Sequence, residues 1–231
     1  MTKRTNTAIP QKKSVNTSKD DCNMKHTWLI KLATGLAKVT GYVPALLFFK
    51  PKITLAPGAT RRLPKGCILV SNHRSLMDFP LYLIVFPFRT IRFLAAEVLF
   101  NKGKFMSFLL KGLGCIRVDR EGKSFSFVSD ALEVLDAGQT LGIFPEGRLP
   151  VGGKPFPFTV STAFIATHAD ALIVPVYTDG NYGITKRSQV VIGEAFDLKA
   201  CCKEGLAEQE QLQQLTDILR QRVYDLAEII K

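Results

Sequence analysis

The chain has 231 residues, 46% of them apolar, and 31 lysines and arginines against 20 acidic residues give a net charge of +11. That length suits one domain with an appendage, and the apolar fraction excludes wholesale disorder. Five cysteines (Cys22, Cys67, Cys115, Cys201 and Cys202) are an odd set without a CxxC pair; this excludes a disulfide framework and a cysteine zinc site, and points to a reducing compartment.

The positive surplus calls for anionic partners: nucleic acid, anionic lipid or a phosphate-bearing substrate. A mean hydropathy of +0.11 is apolar for a nucleic-acid binder and turns the expectation toward lipid. In chain order, residues 1–26 read as a disordered basic tail carrying Lys3, Arg4, Lys12, Lys13, Lys19 and Lys25, with no apolar run like a signal peptide. Residues 27–50, TWLIKLATGLAKVTGYVPALLFFK, are apolar but interrupted by Lys31, Lys38 and Pro44. A spanning helix needs about 20 uninterrupted apolar residues. The segment is therefore expected to be helical and to lie in a membrane interface with its lysines snorkelling to phosphates; a plain core helix is the alternative.

Residues 51–231 alternate between short apolar runs and amphipathic stretches. Strands are expected at 67–71, 90–95, 115–118, 140–144, 172–177 and 189–192, and helices near 79–86, 102–111, 123–137 and 157–168. This order predicts an α/β fold, a central mixed sheet flanked by helices, preceded by the N-terminal membrane-interfacial helical segment. Pro175, inside IVPV, is expected at an edge or bulge. Leu212, Leu215, Leu219, Val223, Leu226 and Ile230 recur at three or four residues, a C-terminal amphipathic helix with a structural role. FPLYLIVFPF (79–88) and FMSFLL (105–110, flanked by Lys104 and Lys111) are further apolar patches of the kind an interfacial protein shows a bilayer.

GxSxG, HExxH and GxGxxG are all missing, and GRLPVGGK (147–154) fails as a P-loop because Pro155 stands where Ser or Thr must hold magnesium. SNHRSLMD (71–78) follows a predicted strand. On one continuous helix His73 and Asp78 would stand about 140° apart. They meet if His73 lies in the loop and Asp78 begins the helix, as Pro80 in the first turn favours. An Asp on one imidazole nitrogen fixes the tautomer and leaves the other to take a proton from a hydroxyl. FPEGR (144–148) also follows a strand; Arg148 is a candidate phosphate fork, and Glu146 either orients it or accepts a substrate hydroxyl. A surface turn with an ion pair is the alternative. GCIRVDR (114–120) exits its strand with Arg120, a further candidate phosphate ligand.

NHRSLMD, GCIRVDR, FPEGR and IVPV, in this order and spacing, resemble the four sequence blocks of the glycerolipid acyltransferases, the 1-acylglycerol-3-phosphate acyltransferases among them. The resemblance spans about residues 64–198 and makes 51–231 the acyltransferase domain. It implies His73 as general base, Asp78 as its partner, and Arg120, Glu146, Gly147 and Arg148 in substrate binding. It further implies acyl transfer from acyl-CoA or acyl-carrier protein to a lysophospholipid hydroxyl, 1-acylglycerol-3-phosphate first among acceptors, giving phosphatidic acid. Acyl-CoA or carrier protein acts as co-substrate; no metal, other cofactor or nucleic-acid partner is expected. The expected location is the cytoplasmic face of a membrane, as a monotopic or peripheral protein.

Two departures stand out. The family has Thr and then Arg after its Gly, whereas here Arg148 follows at once and Leu149 comes next; and Pro157-Phe158 is followed by Thr159-Val160 in place of Lys-Gly. Glycerol-3-phosphate, another lysophospholipid and a lyso-aminolipid remain alternative acceptors. A lipid hydrolase and a non-enzymatic basic membrane- or nucleic-acid-binding protein are the readings outside this chemistry.

Overall fold

A computed structural model describes residues 43–119, 126–183, 185–203 and 205–230. The basic tail, residues 27–42 and Arg120 lie outside the described residues. The described chain opens helically over 43–49. The strands are β1 (Lys52–Leu55), β2 (Ile68–Ser71), β3 (Ile91–Ala96), β4 (Ile116–Val118), β5 (Thr140–Ile143), β6 (Ile173–Thr178) and β7 (Gln189–Ile192). The helices are α1 (Asp78–Val85), α2 (Glu97–Phe100), α3 (Lys104–Gly112), α4 (Ser126–Asp136), α5 (Val160–His168) and α6 (Glu208–Asp225), with short 3-10 turns at Lys199–Cys201 and Leu226–Ile230.

One seven-stranded sheet runs in the order β1-β7-β6-β2-β5-β3-β4. Strands β2 to β6 are mutually parallel; β7 pairs antiparallel to β6, and β1 parallel to β7. The mixed α/β sheet is thus as the alternation of runs predicts. Strand alternation sends Ile68 and Val70 into one core, against Ala131 of α4, Ile165 of α5 and Leu219 of α6. Cys67 and Leu69 point the other way, into a core with Leu81 and Tyr82 of α1. Because β2 is covered on both faces, it reads as an unbroken apolar run rather than an alternating one.

Two expectations need correction. Pro175 is not on an edge: β6 lies between β7 and β2. Its carbonyl accepts the Gly193 N–H at 2.8 Å, one residue beyond β7. The reciprocal bond, which proline cannot make, is simply the end of the β6–β7 ladder. Gly193 leaves room for the ring, since a Cβ there would sit 2.7 Å from Pro175 Cγ. The sequence reading also lacked β1, whose four residues only pair once β7 is beside them.

The topology sets the site. β2 and β5 are adjacent and parallel, so the loops leaving their carboxyl ends lie side by side. α1 leaves β2 on one face and α5 follows β5 on the other. The crevice outside such strand ends is where open α/β sheets hold their ligands.

Candidate active site

Asn72 first fastens the end of β2. Its side-chain amide donates to Thr178 O and its carbonyl accepts from Thr178 N, both at 2.9 Å. This ties the strand end to β6 just before the chain turns. His73 then sits in the loop and Asp78 is the first residue of α1, behind an N-cap at Met77. His73 Nδ1 lies 2.8 Å from Asp78 Oδ2. The same oxygen accepts the backbone N–H groups of Arg74 at 2.7 Å and Ser75 at 2.9 Å. Asp78 Oδ1 accepts the phenol of Tyr182. A carboxylate taking four donors is oriented as well as bound. It makes Nδ1 the protonated nitrogen and leaves Nε2 with its lone pair.

Asp78 is fully buried, while the His73 side chain keeps 14% of its surface accessible. The base can therefore be reached and its partner cannot. The imidazole plane is fixed by Phe144, stacked at 4.3 Å and 16°, which stacks in turn on Phe93 at 5.5 Å. Gly142 is part of this design, because a Cβ there would meet the Phe93 ring at 2.4 Å. Beneath lies Tyr82, whose hydroxyl bonds Ser71 Oγ; burial, then the Asp78 charge, pushes that phenol well above its ordinary range, so it stays neutral.

Glu146 follows β5 and is 2% exposed. Its Oε1 accepts the backbone N–H of His73 at 3.2 Å and the Tyr224 hydroxyl, from α6, at 3.0 Å. Its Oε2 is buried and unpartnered; the Phe156 backbone N–H approaches the carboxylate without completing a bond to it. Burial raises the Glu146 pKa, against the opposing bonds from His73 and Tyr224. Gly147 turns the chain at φ +67°, with its N–H on Phe144 O at 2.9 Å, a left-handed conformation glycine adopts at no steric cost. Arg148 is exposed, and its guanidinium lies over Phe156, 4.9 Å from the ring centre.

The structure thus brings together His73, Asp78, Glu146 and Gly147, and puts Arg148 at the rim. Glu146 does not orient Arg148, nor is it a surface ion pair: it faces inward and holds the His73 backbone. Four N–H groups around the start of α1 are spent within the loop. Arg74 and Ser75 donate to Asp78, Met77 to Ser75 Oγ, and Asp78 to Ser75 O. Sequence reasoning missed Asn72, Tyr182 and Tyr224. Asn72 was inside the quoted motif, but nothing local marks its partner 106 residues on.

A buried acid fixing an accessible imidazole, behind a parallel strand and beside a Gly turn, has the geometry a general base requires. The chain belongs to the Acyltransferase family, which matches residues 57–179, more than half of its length. It is 29% identical over 119 residues to the 1-acyl-sn-glycerol-3-phosphate acyltransferase beta of Homo sapiens, covering 50% of this chain and 43% of that one. It is 34% identical over 112 residues to the 1-acyl-sn-glycerol-3-phosphate acyltransferase of Helicobacter pylori, covering 47% and 46%. The chain thus spans less than half the length of these two relatives. The fold is similar to that of the 1-acyl-sn-glycerophosphate acyltransferase of Thermotoga maritima, with a TM-score of 0.56 at 24% identity over 78% of this chain and 73% of that one. His73, Asp78 and Glu146 lie within the matched residues; Tyr182 and Tyr224 lie beyond them.

Proposed function

We propose that the protein transfers a fatty acyl group from acyl-CoA or acyl-carrier protein to the free hydroxyl of a lysophospholipid, with 1-acylglycerol-3-phosphate the acceptor and phosphatidic acid the product. The observation that carries this is the 2.8 Å contact between His73 Nδ1 and a sealed Asp78. The acceptor hydroxyl lies against His73 Nε2. Its proton passes to that nitrogen as the oxygen attacks the thioester carbonyl, and Asp78 stabilises the imidazolium. The tetrahedral intermediate collapses with loss of the thiolate, which takes the proton back from His73. One ester forms and one thioester breaks; no oxidation state changes, so no redox cofactor enters the scheme. Arg148 and Arg120 hold the acceptor phosphate.

The two apolar flanks support a reading at a membrane surface. α3 follows β3 and α2 at the carboxyl end of the parallel strands, and exposes Phe105 and Phe108 between Lys104 and Lys111. Residues 43–49 precede β1, which runs opposite and so begins at that same end; Val43, Leu46, Leu47 and Phe48 are exposed there. Apolar side chains among lysines suit an anionic bilayer. Among the described residues no helix is long and apolar enough to cross a membrane. The proposed attachment is peripheral or monotopic, at the cytoplasmic face.

Arg148 stands where the family has Thr, and it lies on Phe156. That placement favours testing a second reading, the same transfer onto another lysophospholipid, glycerol-3-phosphate or a lyso-aminolipid. The experiment is a panel of these acceptors with labelled acyl-CoA and with acyl-carrier protein, products being identified by mass. Phosphatidic acid as the main product supports the first reading. The His73→Ala protein should remain folded and form no product; full activity in it would remove the mechanism.

A further inference from the structure

We propose that Tyr182 is a positioning residue for the transfer, its phenol holding Asp78 and, through Asp78, the imidazole of His73. The inference rests on the function proposed above. Asp78 Oδ2 is occupied by the His73 ring and two backbone N–H groups. Those bonds fix one oxygen and leave the carboxylate free to pivot about it. The Tyr182 hydroxyl is what holds Oδ1. Burial and the Asp78 charge keep this phenol protonated, hence a donor.

The loop that carries Tyr182 is braced for the purpose. Asp179 Oδ1 accepts the N–H of Asn181 at 3.0 Å and of Gln189 at 3.1 Å, and Ser188 Oγ donates to Asn181 O at 2.6 Å. The Tyr182 ring then packs edge-on against Phe49, at 5.8 Å and 82°. Phe49 is 3% exposed although Leu47, two residues before it, is 64% exposed. The last residue of the apolar helical stretch is thus turned inward, onto the group that holds the dyad. A contact chain runs from that stretch through Phe49, Tyr182 and Asp78 to His73.

Among the described residues, Tyr82 from α1 and Glu146 from the turn after β5 are titratable groups beside the dyad, with Tyr224 of α6 behind Glu146 and the Arg74 charge acting on Tyr224. Tyr182→Phe leaves all of these in place and removes one hydroxyl. The kcat should fall between about tenfold and 10²-fold, the cost of a slightly misplaced base, with KM within about twofold. Taking one donor from Asp78 leaves more negative charge to favour the imidazolium, so the acid limb of the kcat/KM–pH profile should move to higher pH. Phe49→Leu keeps the hydroxyl and loosens only its support; it should lower kcat less and leave the limb in place. A Tyr182→Phe enzyme with wild-type kcat and wild-type limb overturns the proposal. So does a limb that moves equally in both variants, which would make Tyr182 a packing residue. Loss of the inference alone would show as an inert His73→Ala beside an unaffected Tyr182→Phe. An active His73→Ala would instead take the reaction scheme, and this inference with it.

Discussion

Two turns leave neighbouring strands at the same end of the sheet, and each buries a carboxylate. Asp78, in the turn after β2, is sealed and receives four donors, three from that turn and the fourth from Tyr182 in the loop after β6. Glu146, in the turn after β5, is sealed with two donors, the His73 backbone from the first turn and Tyr224 from α6, both on one oxygen, leaving Oε2 with none. Burying a charge costs several kcal/mol unless hydrogen bonds offset it. Asp78 is therefore amply supplied with donors, whereas burial presses Glu146 toward its neutral form. The first bonds the His73 imidazole, the second the backbone that carries it.

The largest effect should come from breaking the well-served turn. Asp78→Asn keeps the shape and exchanges one acceptor oxygen for an NH2 donor. The amide cannot accept all of the four donors, and an NH2 beside Nδ1 would favour the opposite tautomer. Turnover should fall on the order of 10³-fold or more, as wrong-tautomer substitutions do. Steady-state rates with a saturating acceptor check this. A loss under tenfold would show that the carboxylate does not set the imidazole.

How much of this contrast is legible before folding differs between the two turns. Asp78 was readable because its partner lies five residues away, and Pro80 marks the helix start that brings them together. Glu146 was visible as a residue but not in its role. The local string FPEGR offers Arg148 as the natural partner, while the true one is Tyr224, 78 residues later on a helix that reads as plain amphipathic packing. Tyr182 is hidden for the same reason, 104 residues from Asp78. Strand runs survive in the sequence because β2, β5 and β6 are buried on both faces and their apolar content is continuous. β1 does not, since its pattern of exposed, half-buried, half-buried, exposed carries no such signal.

The starved turn gives a smaller effect of opposite sign. Glu146→Gln keeps an acceptor for His73 N–H and Tyr224, and replaces the unpartnered oxygen with a neutral NH2. Near neutral pH the variant should be more stable than wild type by about 1–2 kcal/mol, the cost of an underbonded buried charge. The sign follows from linkage. Folded Glu146 holds its proton to higher pH than the unfolded chain, whose value is near 4.5. The folded state thus binds more protons in that window, and wild-type stability falls as pH rises through it. Below about pH 4.5 both states are protonated and the advantage of Gln should vanish. Urea melts of the two proteins at pH 4 and pH 7.5 check this; an unchanged difference between them would mean that Glu146 carries no burial penalty.

The smallest effect sharpens the comparison. Tyr224→Phe removes one of the two donors on Glu146 Oε1 and touches nothing on Asp78. Burial, then the Glu146 charge, holds this phenol above its ordinary range, so it is a donor across the working pH. Its loss should cost about 1 kcal/mol, an ordinary hydrogen bond to a charged group in a half-buried setting. The cost should depend on the charge it serves. In the Glu146→Gln background the same substitution should cost less, so the two effects should fail to add by a few tenths of a kcal/mol or more. In the Asp78→Asn background it should cost the same as in wild type. Additivity with Glu146→Gln would mean that the C-terminal helix merely rests beside the β5 turn rather than bonding it.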